Sequence, residues 1–169
     1  MYRVIKALNH NAVLVLDGAS QEYLIMGKGI GFGKKVSERI EPAPDSVVYS
    51  LQSVSERGKA KDLFKEIDPR YLEMADAVLN EAAKEFAHVD RGVLFPMADH
   101  IAFAVSRMRR GEVIANLLTQ DIQVLFYKEF KAASLVRRLL MEEEGLEVPD
   151  DEIGYVALHV HAATAGEKV

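Results

Sequence analysis

The chain has 169 residues, 49% hydrophobic and 28% charged, which is room for one ordinary domain or for a small module followed by a medium one. The absence of cysteine excludes a disulfide framework, a thiolate metal site and a cysteine nucleophile, and a formal charge of −5 argues against a protein that coats nucleic acid non-specifically. No apolar span approaches the ~18 residues of a membrane-spanning helix. The opening Met1-Tyr2-Arg3-Val4-Ile5-Lys6 lacks the apolar core of a signal peptide, so a cytoplasmic protein with no membrane insertion is expected.

The charge is unevenly divided. Residues 1–52 carry six Lys/Arg against five Asp/Glu, a balance of +1, and the remaining 15 basic and 21 acidic residues balance at −6. In chain order, Arg3 to Leu8 alternates loosely as a strand, Asn9-His10-Asn11 is a turn, and Ala12 to Leu16 is a second strand before the turn at Asp17-Gly18. Glu22 to Met26 reads as a third strand running into a glycine-rich loop, and Ser46 to Leu51 as a fourth. A β module of about 50 residues buries little surface by itself, so a homodimer is expected.

From Ser53 the apolar period changes from two to near 3.6, and no further strand is expected. Helices are predicted over Ser55–Ile67, Tyr71–Phe86 and Leu94–Arg109, within Glu112–Tyr127, over Phe130–Glu144, and from the acidic start Pro149-Asp150-Asp151-Glu152 to about Ala163. The reading is an α+β multidomain chain: a small antiparallel β-sheet, then an all-α bundle. Its boundaries are expected at 1–53 for the β domain, 54–64 for a linker and first-helix start, and 65–169 for the helical domain.

The most informative stretch is Gly27-Lys28-Gly29-Ile30-Gly31-Phe32-Gly33-Lys34-Lys35, with four glycines, three lysines and one aromatic ring in nine residues. Glycine lets another molecule approach the backbone, lysine meets phosphate, and Phe32 offers a ring for a nucleobase, so RNA is the natural partner. The plain alternative is a solvated basic hairpin. A nucleotide-phosphate loop fails on register, because Phe32 stands where both Gly-x-x-x-x-Gly and Gly-x-Gly-x-x-Gly need glycine after Gly27.

His100, His159 and His161 lie on mainly apolar helices, where histidine is first of all a hydrogen-bonded core residue. It can also accept a phosphoryl group on a ring nitrogen. Metal binding fits poorly: His159 and His161, two apart on a helix, point to nearly opposite sides, and no His-Glu-x-x-His spacing occurs. No metal site and no cofactor is expected. His10 reads as surface or RNA-facing, and His88 as a solvent-exposed loop residue.

Lys6, Asn9-His10-Asn11 and the 27–35 run resemble the RNA-binding domain of BglG/SacY-type transcriptional antiterminators. Asp99-His100-Ile101-Ala102-Phe103-Ala104 and Glu152-Ile153-Gly154-Tyr155-Val156-Ala157-Leu158-His159-Val160-His161 resemble the two histidine motifs of the family's regulatory domain. The likeness covers the whole chain and is greatest for the glucose-type branch. It implies a non-enzymatic regulator that binds, as a dimer, an mRNA hairpin overlapping a terminator, not DNA. The implied RNA contacts are Lys6, Asn9, Asn11, Gly27, Lys28, Gly29 and Phe32. The implied phosphorylation sites are His100 and His159, with a sugar permease (enzyme II) of the phosphotransferase system as donor. Many members carry Asn at position 10 and Arg at position 28, and a second regulatory domain in tandem, so this chain reads as a truncation at a linker or a short form. The rival reading is a helical protein-interaction or sensor module with structural histidines and no RNA affinity.

Overall fold

A computed structural model describes residues 1–52, 54–55 and 58–165. The chain forms two compact units, Met1–Glu73 and Met74–Val169.

In the first unit the alternating and β-branched runs become β1 (Tyr2–Asn9), β2 (Ala12–Leu16) and β3 (Glu22–Met26). They join β4 (Arg39–Ile40) and β5 (Val47–Ser50) in an antiparallel sheet of order β4-β1-β2-β3-β5. The central β2 is buried from Ala12 to Val15, which explains its unbroken apolar run. Val13 and Val15 face one core with Val4, Ile25 and Ile40. Leu14 pairs with Leu24 in register and, with Leu8, borders a cleft closed by Phe64 and Ile67. The β1–β2 register shifts between Ala7 and Asn9, and such a bulge bends the strand, here as it enters the Asn9 turn.

Two features of this unit differ from the sequence reading. Arg39–Ile40 makes a two-residue edge strand against Tyr2 and Arg3, too short to leave a periodic signal. The helix expected from Ser55 begins at Ala60 and runs to Glu66 as α1. Ahead of it Val54–Ser55 (β6) pairs with Gly58–Lys59 (β7), where the expectation was no further strand. Gly58 has φ +122°, a conformation closed to a helix, and a residue a periodicity argument passes over. Residues 53, 56 and 57, also covered by those expectations, lie outside the described residues.

Helix α2 (Pro69–Ala82) crosses from the first unit into the second. Proline suits its first position, where no amide donor is needed. Just ahead, the Asp68 carboxylate accepts from the Arg70 backbone N–H at 2.9 Å and from its guanidinium at 3.0 Å. The helix stops at Ala82, one turn short of the expected Phe86.

In the second unit α3 (Leu94–Arg109) has the expected bounds. The next helix, α4 (Thr119–Leu125), starts well after Glu112. The buried Asn116 terminates the irregular stretch: its Oδ1 accepts from the Leu118 N–H at 3.0 Å, and the Thr119 hydroxyl donates to Asp151 at 2.7 Å. The predicted Phe130–Glu144 helix is instead α5 (Tyr127–Ala133) and α6 (Leu135–Glu144), interrupted at Ser134, whose hydroxyl bonds back to the Phe130 carbonyl at 2.8 Å. Helix α7 (Asp150–Thr164) opens on three acids and packs against α5, α4 and α3. Among the described residues no helix is long and apolar enough to cross a membrane.

Candidate functional site

In the first unit, the turn between β1 and β2 is the anchor for the glycine run. The Asn9 side-chain oxygen accepts from the Asn11 backbone N–H at 2.9 Å, fixing the turn. The Asn11 side-chain oxygen in turn accepts from Gly29 N–H at 2.9 Å. Gly27 donates to the Asn11 carbonyl at 3.0 Å and Gly31 to the His10 carbonyl at 2.9 Å. The run is thus laced onto the turn at three points. Ile30 donates to Gly27, Phe32 to Gly29 and Lys34 to Gly31, winding the run through successive turns.

The glycines are there for different reasons. A Cβ on Gly31 would stand 2.2 Å from the Asn9 carbonyl oxygen, so only glycine lets the run lie this close. At Gly27 a Cβ would meet Ser46 at 2.8 Å, which ties this glycine to packing. Gly29 has φ +74° with open space around it.

Phe32 is carried outward at the end of this arrangement, 67% exposed, with its ring edge-on to His10 at 5.0 Å. Lys28 is exposed beside Gly29. Lys6, also exposed, lies on β1 beside the Leu8–Phe64 cleft and is not part of the network joining Asn9, Asn11 and Gly29. A further group, which the sequence reading missed, meets the turn. The Glu73 carboxylate accepts from the Asn9 side-chain amide at 3.0 Å and from that of Asn11 at 2.7 Å. Glu73 lies 64 positions after Asn9 and 62 after Asn11, so nothing in the local sequence signals this contact.

The second unit brings His100 and His159 together. Their rings lie 5.5 Å apart, and Tyr155 stands 5.7 Å from His100. His100 is buried, 8% exposed, and its Nε2 lies 3.6 Å from the Glu152 carboxylate, too far for a hydrogen bond. Arg107 grips both oxygens of Glu152 at 3.0 and 3.1 Å. Burial works to raise the Glu152 carboxyl, but His100 and Arg107 outweigh it and hold the group below its ordinary value.

Helical spacing explains the meeting: His100 and Arg107 are seven apart on α3, Glu152 and His159 seven apart on α7, so each pair shares a face. That signal was available for Arg107 and Glu152. His161 points elsewhere, stacked on Phe126 at 4.0 Å with its Nδ1 3.1 Å from Glu129. His10 and His88 are exposed, as expected.

Comparison with known proteins matches both units. A family model described as CAT RNA binding domain fits residues 2–57, and one described as PRD domain fits residues 72–163, more than half of the chain. Protein GlcT of Staphylococcus aureus (strain bovine RF122 / ET3-1) is 31% identical over 166 residues, covering 96% of this chain and 58% of that protein. The chain belongs to the BglG/SacY-type family of transcriptional antiterminators.

Other members of this antiterminator family lie at similar distance. The beta-glucoside operon antiterminator of Dickeya chrysanthemi is 28% identical, covering 94% of the chain and 56% of that protein. Transcription antiterminator LicT of Bacillus subtilis (strain 168) is 26% identical, covering 99% and 61%. The chain therefore spans about six-tenths of the length of these relatives, between 56% and 61%. The crystal structure of GlcT CAT-PRDI superposes with a TM-score of 0.77 at 29% identity, covering 96% of this chain and 98% of that one. The family architecture, an antiparallel sheet followed by a helical domain, is the one expected from the sequence.

Proposed function

We propose that the chain is the RNA-binding and first regulatory part of an antiterminator: as a dimer it binds an mRNA hairpin and keeps a terminator from forming in sugar-utilisation genes. It acts in the cytoplasm as a binding protein and catalyses no turnover. Residues 1–53 are the RNA-binding module, 54–64 the link and 65–169 the regulatory domain. The observation that carries this reading is the Asn9–Asn11 turn laced to the glycine run with Phe32 held 67% exposed. An exposed ring beside lysine, with amides behind it, suits an unstacked base and its backbone. The contacts are Lys6, Asn9, Asn11, Lys28, Gly29 and Phe32, with Gly27 shaping the loop.

Regulation falls to His100 and His159 as phosphoryl acceptors. A ring nitrogen gains the P–N bond as the phosphorylated permease of the sugar phosphotransferase system gives up its phosphoryl group. The modification adds roughly −1.5 to −2 charges, by analogy with hydroxyl phosphates, and at His100 they arrive next to the buried Glu152. Like charges this close repel, and a shift of α3 against α7 relieves the repulsion.

The test is binding to a short RNA stem-loop with internal bulges, against duplex DNA of equal length, across several salt concentrations. Preference for RNA with a modest salt slope supports the reading; equal binding to both, or none, defeats it. The burial of His100 favours a second reading, a helical interaction module whose histidines are core residues. That reading requires no RNA affinity and no labelling by a phosphoryl donor.

A further inference from the structure

We infer that Glu73 is a built-in competitor for the RNA-reading amides of Asn9 and Asn11, so that RNA must displace its carboxylate to reach them. This rests on the assignment of those two asparagines to RNA binding made above. One oxygen of Glu73 takes the Asn9 amide at 3.0 Å and the other takes the Asn11 amide at 2.7 Å. A carboxylate is an anionic oxygen acceptor, the same chemistry as a phosphate or a base carbonyl, and hydrogen bonds to it are stronger than neutral ones. The group that holds the turn in this state is therefore a stand-in for the ligand.

Glu73 is not needed to orient the amides. Asn9 is already fixed by the Asn11 N–H, and Asn11 by Gly29 N–H, both at 2.9 Å. With those carbonyl oxygens engaged, the amino groups are the ends left for a partner, and Glu73 takes both. An organising residue would be redundant here, whereas a blocking one is not. The carboxylate is also placed by a rigid element. It sits in the first turns of α2, pinned at its start by Asp68 and Arg70, and the helix continues through the buried Leu72, Met74 and Ala75. A shift of α2 withdraws the carboxylate from both amides at once, giving two states of the RNA site, closed and open.

Binding then carries the cost of leaving the closed state, and apparent affinity falls by the fraction that is open. The test measures affinity of the full chain for a fluorescently labelled RNA stem-loop with internal bulges, at one salt concentration. Glu73→Gln, which replaces one of the two accepting oxygens with an amino group, and Glu73→Ala, which accepts from neither amide, are expected to bind about tenfold more tightly than the parent. Glu66→Gln, which removes one exposed charge from α1, is the electrostatic control and binds as the parent does. Phe32→Ala loses binding in the parent and in the Glu73→Gln background alike. If both Glu73 variants bind equally well or more weakly while Phe32→Ala still loses affinity, the competitor is overturned and the RNA site stands. If Phe32→Ala binds as tightly as the parent, the site assignment fails, and the inference goes with it.

Discussion

His100 on α3 and Glu152 on α7 stand 3.6 Å apart, Nε2 to carboxylate oxygen, both shielded from water, and Arg107 holds that same oxygen at 3.0 Å. The Glu152 carboxyl is held below its ordinary value of 4.5. A group whose folded value is depressed stabilises the fold above its ordinary value, and that contribution is lost as pH falls through the folded one. Unfolding by urea between pH 3 and pH 7 should therefore show stability falling below about pH 4.5. Glu152→Gln is expected to flatten that acid limb and to lower stability at pH 7 by about 2 kcal/mol. This is less than the ~3–5 kcal/mol of a fully buried pair, because Arg107 keeps some access to water.

The same contact sets the response to charge at His100. His100→Asp places a second carboxylate beside Glu152, as a phosphoryl group would place its own charge. The variant is expected to loosen the dimer and weaken RNA binding, which sedimentation and an RNA titration would read together. An unaltered dimer binding RNA equally well would count against the switch.

Gly31→Ala tests the lacing of the loop. Its new methyl group would fall 2.2 Å from the Asn9 carbonyl oxygen, so the run must lift away from the turn. A melting point lowered by several degrees is expected, on the order of 4–8 °C per kcal/mol lost for a unit of this size, with RNA affinity reduced as well. Gly18→Ala, at a position with nothing within 4 Å, should leave both unchanged.

Phe32→Ala removes a ring that is 67% exposed and contributes little to the core. The melting point is expected to hold, and RNA affinity to fall by roughly tenfold or more, the worth of one stacked base at ~1–3 kcal/mol. A titration beside a thermal melt separates the two effects, and unchanged affinity would remove Phe32 from the site.

How much of this was legible in the sequence depended on the range of the interaction. β2, β3 and α3 have the bounds that the residues imply, because each is a short run with its own period and its own stop signal. The break at Ser134 left the apolar pattern nearly continuous, and a period cannot reveal where a helix is interrupted without changing face. The glycine run announced a loop, but its dependence on the Asn9 carbonyl came only from geometry. Arg107 and Glu152 carried a seven-residue signal relative to the histidines, visible once the two helices are known to pack. Glu73 carried none, because contacts across 62 residues are written in the fold alone.

The wiring of the two asparagines limits what can be read at the turn. The side-chain carbonyl oxygens of Asn9 and Asn11 each accept one backbone N–H, from Asn11 and from Gly29, and these two bonds decide which end of each amide is the donor. An amide free to rotate can present either its oxygen or its amino group to a partner; these two are held in one orientation. The donor ends therefore suit oxygen acceptors, as the Glu73 carboxylate that occupies both of them shows. The polarity of what those amino groups can hold is thus set by two hydrogen bonds from backbone N–H groups, at Asn11 and at Gly29.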